Sequence, residues 1–231
     1  MKRQALFGII TLLAAPLMAQ DSSQTDVSTA AQALANQPNY SWKQTVVVPP
    51  DSQFQPAPID GQTEKDGYTF VSTSFGDNDV KWVIKGDKFA VYTADNGWQA
   101  PSEMDDQGPG RFMGAMIRNF KTPAQQATNL LAGVKSLTKN GDVYSGDLTD
   151  DGAKSLLTFR RGGQATVSNA KGSAKFWISN GVLSKYEFKV TGTVSFNGND
   201  RDIDRDTTVE ISNVGTTKVA LPDDAKKKLS S

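Results

Sequence analysis

The stretch that decides the fold runs from residue 172 to residue 212 and reads GSAKFWISNGVLSKYEFKVTGTVSFNGNDRDIDRDTTVEIS. It contains three runs rich in β-branched and aromatic residues, at 172–178, 183–196 and 203–212. They are separated by Asn180-Gly181 and Asn197-Gly198, and an Asn-Gly pair between two such runs is a strong signal for a tight hairpin turn. This stretch therefore predicts three consecutive antiparallel strands.

Similar strand patterns occupy much of the remaining chain. They fall at residues 40–48, 68–75, 80–85, 88–93, 142–148 and 165–167. Gly86-Asp87 predicts another hairpin, and residues 51–60 and 101–110, which contain proline or glycine, predict loops. Strands that follow one another through short turns form antiparallel sheets. We therefore expect a mainly β (α+β) protein with an antiparallel meander.

The best helix signal begins at Thr122-Pro123-Ala124-Gln125. A threonine cap, a proline at the first helical position and a glutamine three residues after the cap form a capping box. Apolar residues on one face continue to Leu137, and Asn140-Gly141 predicts the end of the helix. Shorter helices are predicted at 149–157, with Asp150 as its cap, and at 222–229. One narrow helix covers only part of a wide sheet, which leaves room for a second sheet or for a hydrophobic cavity.

The N-terminus has the three parts of a secretory signal. Lys2 and Arg3 precede an uncharged apolar run at 5–17, and Ala19 offers a small residue at the expected cleavage position. The run is shorter than the roughly 20 apolar residues of a membrane span, although an uncleaved anchor remains the alternative. We predict a signal peptide at 1–19, a flexible segment with a short helix at 20–37, and one domain at 38–231. The residue after the cut is Gln20, and the chain has no cysteine for lipidation. The expected location is periplasmic or secreted, with no transmembrane segment in the mature chain.

Composition narrows the classes of function. The chain has 25 basic and 25 acidic residues and no histidine. A balanced charge argues against nucleic acid as a partner, and the lack of histidine excludes the usual Ser-His-Asp triad. Carboxylates at Glu103, Asp105-Asp106 and Asp150-Asp151 leave a glycoside hydrolase as the last-ranked alternative.

An acidic run at Asp200–Asp206 places a carboxylate at every second position. On a strand this spacing puts the carboxylates on one solvated face. Calcium binding is the alternative, but the glycine and the closing glutamate of a calcium loop are missing. We predict no metal site and no cofactor.

Two stretches resemble exported proteins of the LolA/LolB-like (LppX-like) superfamily. The first is KFAVYT at 88–93 followed by Gly97-Trp98. The second is Phe-Trp-Ile-x-x-Gly-x-Leu-x-Lys-Tyr at 176–186, followed by a long hairpin and by VGTT at 214–217. The resemblance covers most of the mature chain in the order of its elements. It implies a curved antiparallel half-barrel whose concave face is covered by helices around an apolar cavity, and members carry or sense lipids, lipoproteins or acyl chains.

The sequence supplies large apolar side chains that would line such a cavity. The candidates are Trp42, Phe70, Trp82, Phe89, Trp98, Phe112, Met116, Leu130, Leu131, Val134 and Trp177. The expected function is that of a periplasmic binding or carrier protein for a hydrophobic ligand, without catalysis. The alternative is a soluble envelope module that binds or senses a partner protein and whose core is filled by its own side chains.

Overall fold

A computed structural model describes residues 15–52, 55–105, 107–158 and 165–230. Most of the predicted signal peptide, Asp106 and the predicted turn at 160–163 lie outside these ranges. Within them, the strands form a single antiparallel sheet. Its strands are β1 (Asn39–Val47), β2 (Ile59–Glu64), β3 (Thr69–Phe75), β4 (Asn78–Lys85), β5 (Lys88–Thr93), β6 (Gly97–Gln99), β7 (Thr138–Asn140), β8 (Val143–Asp147), β9 (Thr166–Ser179), β10 (Val182–Phe196) and β11 (Asn199–Ser212).

The helices precede, interrupt and follow these strands. They are α1 (Ala15–Ala35), α2 (Gly108–Arg118), α3 (Pro123–Ala132), α4 (Asp150–Leu157) and α5 (Asp223–Ser230), with a one-turn 3-10 helix at Pro101–Glu103.

The order across the sheet is β6-β5-β4-β3-β2-β1-β11-β10-β9-β8-β7. Each neighbouring pair is also consecutive in sequence except β1 and β11, which join the two meanders in the middle of the sheet. The sheet stays open, with β6 and β7 at its edges. The predicted fold class, a mainly β half-barrel of antiparallel strands, is confirmed.

The two Asn-Gly turns take the backbone that the sequence predicts. Asn180 and Gly181 have φ of 51° and 76°, and Asn197 and Gly198 have φ of 51° and 77°. Positive φ at both central residues is the mark of a type I′ hairpin turn, whose twist matches that of the flanking strands. The long β9–β10–β11 meander follows directly from these turns.

Several elements differ from the sequence prediction. β2 extends from the predicted loop at 51–60 to Glu64, and β9 is one strand where two short ones are predicted. Residues 101–110 are not a simple loop, because they contain the 3-10 turn and the start of α2. α1 begins at Ala15, so residues 21–25 are helical where a flexible segment is predicted.

The main helix α3 is shorter than predicted. It ends at Ala132, with Gly133 as its C-cap, because Gly133 lies against Gly152 of α4. A Cβ at Gly152 would be 2.4 Å from the Gly133 carbonyl oxygen, so the two glycines permit this close approach. α4 is capped by Thr149, not by Asp150, since the Thr149 hydroxyl accepts a hydrogen bond from the Gly152 amide at 2.9 Å.

The sheet has an apolar layer on each face. The inner face packs against α1, α3 and α4, where the largest fully buried side chains are Phe176, Leu183 and Tyr186. Val83 and Ala90 point to the outer face, one position from inward-facing Trp82 and Val91, and they pack against α5. One helix therefore covers the outer face, in addition to those over the inner one.

Candidate ligand-binding site

An aromatic cluster lies on the inner face where β1 to β4 run side by side. Trp42 and Trp82 stand in one row across the strands, and Gly61 and Val71 fill the positions between them. Phe120, from the connection between α2 and α3, contacts both rings. Its centroid is 6.0 Å from that of Trp42 in a stacked arrangement and 6.4 Å from that of Trp82 in an edge-to-face arrangement. We call Trp42, Trp82 and Phe120 the aromatic cluster.

Gly61 sets the position of the Trp42 ring. A Cβ at Gly61 would lie 2.0 Å from Trp42 Cε2 and 2.5 Å from Trp42 Nε1. The indole therefore lies directly over the β2 backbone, in space that any other residue would fill. A glycine within a strand often marks such a close approach.

The two tryptophans are buried, yet their polar atoms lack partners. Trp42 is 5% exposed and Trp82 is 3% exposed. Neither indole N–H has a hydrogen-bond acceptor among the described residues. Most buried donors in folded proteins are paired, because an unpaired donor has lost its hydrogen bonds to water. These two N–H groups are thus an unusual chemical feature of the inner face.

α2 covers this part of the inner face with adaptable side chains. Met113, Met116 and Phe120 are partly buried against the main core, whereas Phe112 is 53% exposed. Methionine has three rotatable bonds and fills irregular space, so it tolerates rearrangement of its neighbours.

The other covering helices are held to the sheet by hydrogen bonds from tyrosines. Tyr186 donates to Gln126 Oε1 of α3 at 2.6 Å, and Tyr144 donates to Asp26 Oδ2 of α1 at 2.9 Å. Burial raises the pKa of Tyr186 well above its usual value, and it also raises the pKa of Tyr40. Both hydroxyls therefore remain protonated at neutral pH.

The remaining candidates are divided between the two faces. Phe89, Leu130 and Val134 are buried in the main core, and Leu131 packs against it. Phe70 and Trp98 contact each other at a centroid distance of 6.5 Å, in the outer layer with α5.

Trp177 also lies on the outer face, where the Lys185 ammonium sits 4.8 Å from its ring centroid. Its neighbour Phe176 takes the inward position and is fully buried. The structure thus brings Trp42, Trp82, Phe89, Met116, Leu130, Leu131 and Val134 to the inner face, and it places Phe70, Trp98 and Trp177 on the other.

Two pockets lie away from the aromatic cluster. One, of about 320 Å³, is an open polar groove along β7, β8 and β9, lined by residues such as Lys135, Ser145 and Lys175. The other, of about 160 Å³, lies between α1 and α3 beside Ala31 and Thr128. Neither is lined by a predicted cavity residue. At the aromatic cluster, the buried rings of Trp42 and Trp82 are in contact with Phe120.

The candidate carboxylates have structural partners. Glu103 accepts hydrogen bonds from the Ala100 amide at 2.8 Å and from Lys228 at 2.7 Å, and the bond from Lys228 lowers the pKa of Glu103. Asp105 accepts from the Gln107 amide at 3.0 Å. Asp150 and Asp151 lie in the first turn of α4, where a negative charge stabilises the helix end.

The acidic run on β11 forms a ladder with β10 on the outer face. Lys189 Nζ lies 3.1 Å from Asp204 and 3.5 Å from Asp206, and Thr193 donates to Asp202 at 2.8 Å. Ser195 bonds Asp200 in the same way. Among the described residues, no cluster of three or more acidic side chains could hold a metal ion. The alternation that the sequence predicts is therefore present, with the carboxylates paired to their neighbours.

Comparison with solved structures identifies the architecture. The chain is similar to the lipoprotein LppX of Mycobacterium tuberculosis, with a TM-score of 0.51 and 13% identity over 86% of this chain and 98% of that chain. The chain has an LppX-like fold. LprF of Mycobacterium bovis aligns with a TM-score of 0.45, at 11% identity over 90% of this chain and 99% of that chain. A LolA superfamily protein of Nitrosomonas europaea aligns at 0.33, with 10% identity over 87% and 95%.

No protein-family model and no curated protein sequence matches the chain. The LppX-like fold is thus shown by structural similarity, at an identity too low to transfer any residue's role. In the described part of the chain, no helix has the length and apolar character needed to cross a membrane.

Two residues of the site were not among the sequence candidates. Phe120 lies two residues before Thr122, the first residue of the α3 capping box, and Gly61 interrupts a polar strand. Glycine within a strand is a signal for close packing, but that signal depends on first recognising β2, whose sequence IDGQTE has few strand-forming residues.

Proposed function

We propose that this chain is an exported, non-catalytic binding or carrier protein for a hydrophobic ligand such as a lipid, an acyl chain or a lipoprotein. The observation that carries the proposal is the position of Phe120. A single side chain from a connecting segment contacts two buried tryptophans of the inner face. It acts as a wedge that a ligand can replace without breaking a strand or a helix.

The energetics of such a replacement are favourable for an acyl chain. Withdrawing a phenylalanine from an apolar contact costs about 1.5–3 kcal/mol, and each buried methylene contributes about 0.8 kcal/mol. A chain of about four carbons or more would offset the loss. The partly buried Met113 and Met116 of α2 can repack around it.

Export also fits the packing of α1. The residues of α1 that are buried in the described core begin at Ser23 and continue through Val27, Ala30, Ala31 and Leu34. All of them follow the expected cleavage position at Ala19. N-terminal sequencing of the secreted protein should begin at Gln20. A protein that keeps residues 1–19 would contradict the predicted signal peptide.

Uptake of a fluorescent fatty acid by purified residues 20–231 tests the binding proposal. We expect saturable binding, which Phe120→Ala strengthens because the wedge is removed. Trp177→Ala on the outer face is the matched control and should leave the affinity unchanged. Native mass spectrometry of the protein as purified should show a lipid adduct. Absence of uptake by both the wild type and Phe120→Ala would exclude the proposal.

A second candidate is a protein-binding or sensor module of the envelope. The observation that favours it is the filled inner face, where the aromatic cluster occupies the space expected for a ligand. In that case Phe120→Ala should only destabilise the fold. Hydrogen exchange in residues 108–122 should then be the same with and without fatty acid.

A further inference from the structure

We propose that Trp42 and Trp82 donate their indole N–H groups to the ester carbonyls of an acylated lipid once Phe120 withdraws. This inference rests on the proposed function and specifies the ligand: an ester-linked lipid, in preference to a hydrocarbon chain alone.

The first argument is the state of the two donors. Both side chains are more than nine-tenths buried, and both indole N–H groups lack an acceptor among the described residues. Tyrosines on the same face do have partners: Tyr186 and Tyr144 each donate to a helix side chain. The two tyrosine donors on this face are thus satisfied, whereas the two indole donors are open.

The second argument is their placement. Trp42 on β1 and Trp82 on β4 belong to one row across the sheet, and Phe120 contacts both rings. Gly61 lets the Trp42 indole lie over β2, where Nε1 is 2.5 Å from the position that a Gly61 Cβ would take, and Gly61 lies in the row between Trp42 and Trp82. A ligand that replaces Phe120 would therefore meet both donors.

The third argument concerns the charge of the acceptor. Val71 stands between the two tryptophans and Val91 beside Trp82, and both are buried. An apolar surrounding penalises an ionised group far more than a neutral polar one. A neutral ester carbonyl therefore suits the site better than a free carboxylate. It accepts a hydrogen bond without bringing a charge into the core.

The experiment compares two lipids that differ only in this carbonyl. Residues 20–231 are incubated with vesicles of dioleoyl phosphatidylcholine, or with vesicles of the matched dioleyl ether lipid. Lipid bound per protein is then measured by native mass spectrometry. We expect the ester lipid to bind about 2- to 10-fold more tightly for each hydrogen bond formed.

Conservative variants assign the effect to the two donors. Trp42→Phe and Trp82→Phe keep an aromatic ring and remove the N–H, so each should lower the ratio of ester-lipid to ether-lipid affinity. Trp177→Phe is the control on the outer face and should keep the full preference. In the wild type, two of the four indole ¹H–¹⁵N signals should move downfield with the ester lipid and not with the ether lipid. This NMR measurement does not depend on whether a variant folds.

The outcomes separate the two proposals. Equal binding of both lipids, or indole signals that stay in place when the ester lipid binds, overturns the carbonyl site and leaves the carrier function standing. Failure of both lipids and of the fatty acid to bind overturns the two together.

Discussion

Gly61→Ala tests the packing on which the candidate site depends. The new Cβ would lie 2.0 Å from Trp42 Cε2 and 2.1 Å from Cζ2. Carbon atoms in contact are about 3.5–4.0 Å apart, so the indole would have to retreat by about 1.5 Å. Overpacking of this kind costs about 1–3 kcal/mol. A chain of this size loses about 2–4 °C of melting temperature per kcal/mol, which gives an expected loss of about 2–12 °C.

Urea unfolding of residues 20–231, followed by tryptophan fluorescence, measures the loss of stability. Gly114→Ala is the matched control, because its Cβ would meet only the flexible end of Arg118, 3.3 Å away. Alanine is favoured over glycine within a helix by about 1 kcal/mol, so this variant should be no less stable than the wild type.

The decisive comparison repeats Gly61→Ala in a Trp42→Leu background. If the new Cβ clashes with the indole, Gly61→Ala should lower the free energy of unfolding much less in the Trp42→Leu background than in the wild type. If Gly61→Ala lowers the free energy of unfolding as much in the Trp42→Leu background as in the wild type, the explanation that Gly61 makes room for the Trp42 ring is wrong.

Three further predictions concern the helices and the outer face. Thr122→Ala removes the cap of α3 and should lower the free energy of unfolding by about 1 kcal/mol in urea titrations; no change would show that the cap is dispensable. Because burial raises the pKa of Tyr186, the folded state holds its proton more tightly than the unfolded state. Its contribution to stability is therefore complete below about pH 10 and is lost as pH rises through the folded pKa. Tyr186→Phe, which also loses the bond to Gln126, should show a shallower fall in stability above pH 10, and an unchanged slope would contradict this. Millimolar Ca²⁺ should leave the melting temperature unchanged, because Lys189 already pairs with Asp204 and Asp206 of the acidic run. A clear rise in the melting temperature would support calcium binding instead.

The local elements of the fold were largely predictable. Asn180-Gly181 and Asn197-Gly198 fix two hairpins through backbone preferences that act within a few residues. The capping box at Thr122 is present, with the Thr122 hydroxyl accepting from the Gln125 amide and the Gln125 side chain accepting from the Thr122 amide. Such signals depend on a few neighbouring residues, so they hold whatever tertiary contacts the rest of the chain makes.

The candidate site was harder to predict, because the identity of the inward face is not local. Phe176 and Trp177 are adjacent and both aromatic, and alternation alone does not say which one faces the core. The register with β10 decides it, since Phe176 pairs with buried Tyr186 whereas Trp177 pairs with Lys185. Gly133 likewise ends α3 through its contact with Gly152, which lies in a different helix.

The pairing of β1 with β11 also bears on how the chain folds. Every other strand pair joins sequence neighbours through a short connection or one containing a small helix, whereas this pair brings Ser41 beside Ser212. Closing so long a segment carries a large entropic cost, and non-local pairings slow folding. We expect each meander to gain protection from hydrogen exchange first, and the β1–β11 seam to form last. Trp42 of β1 and Trp82 of β4 stand in the same meander, so the strand side of the aromatic cluster would form before the β1–β11 seam.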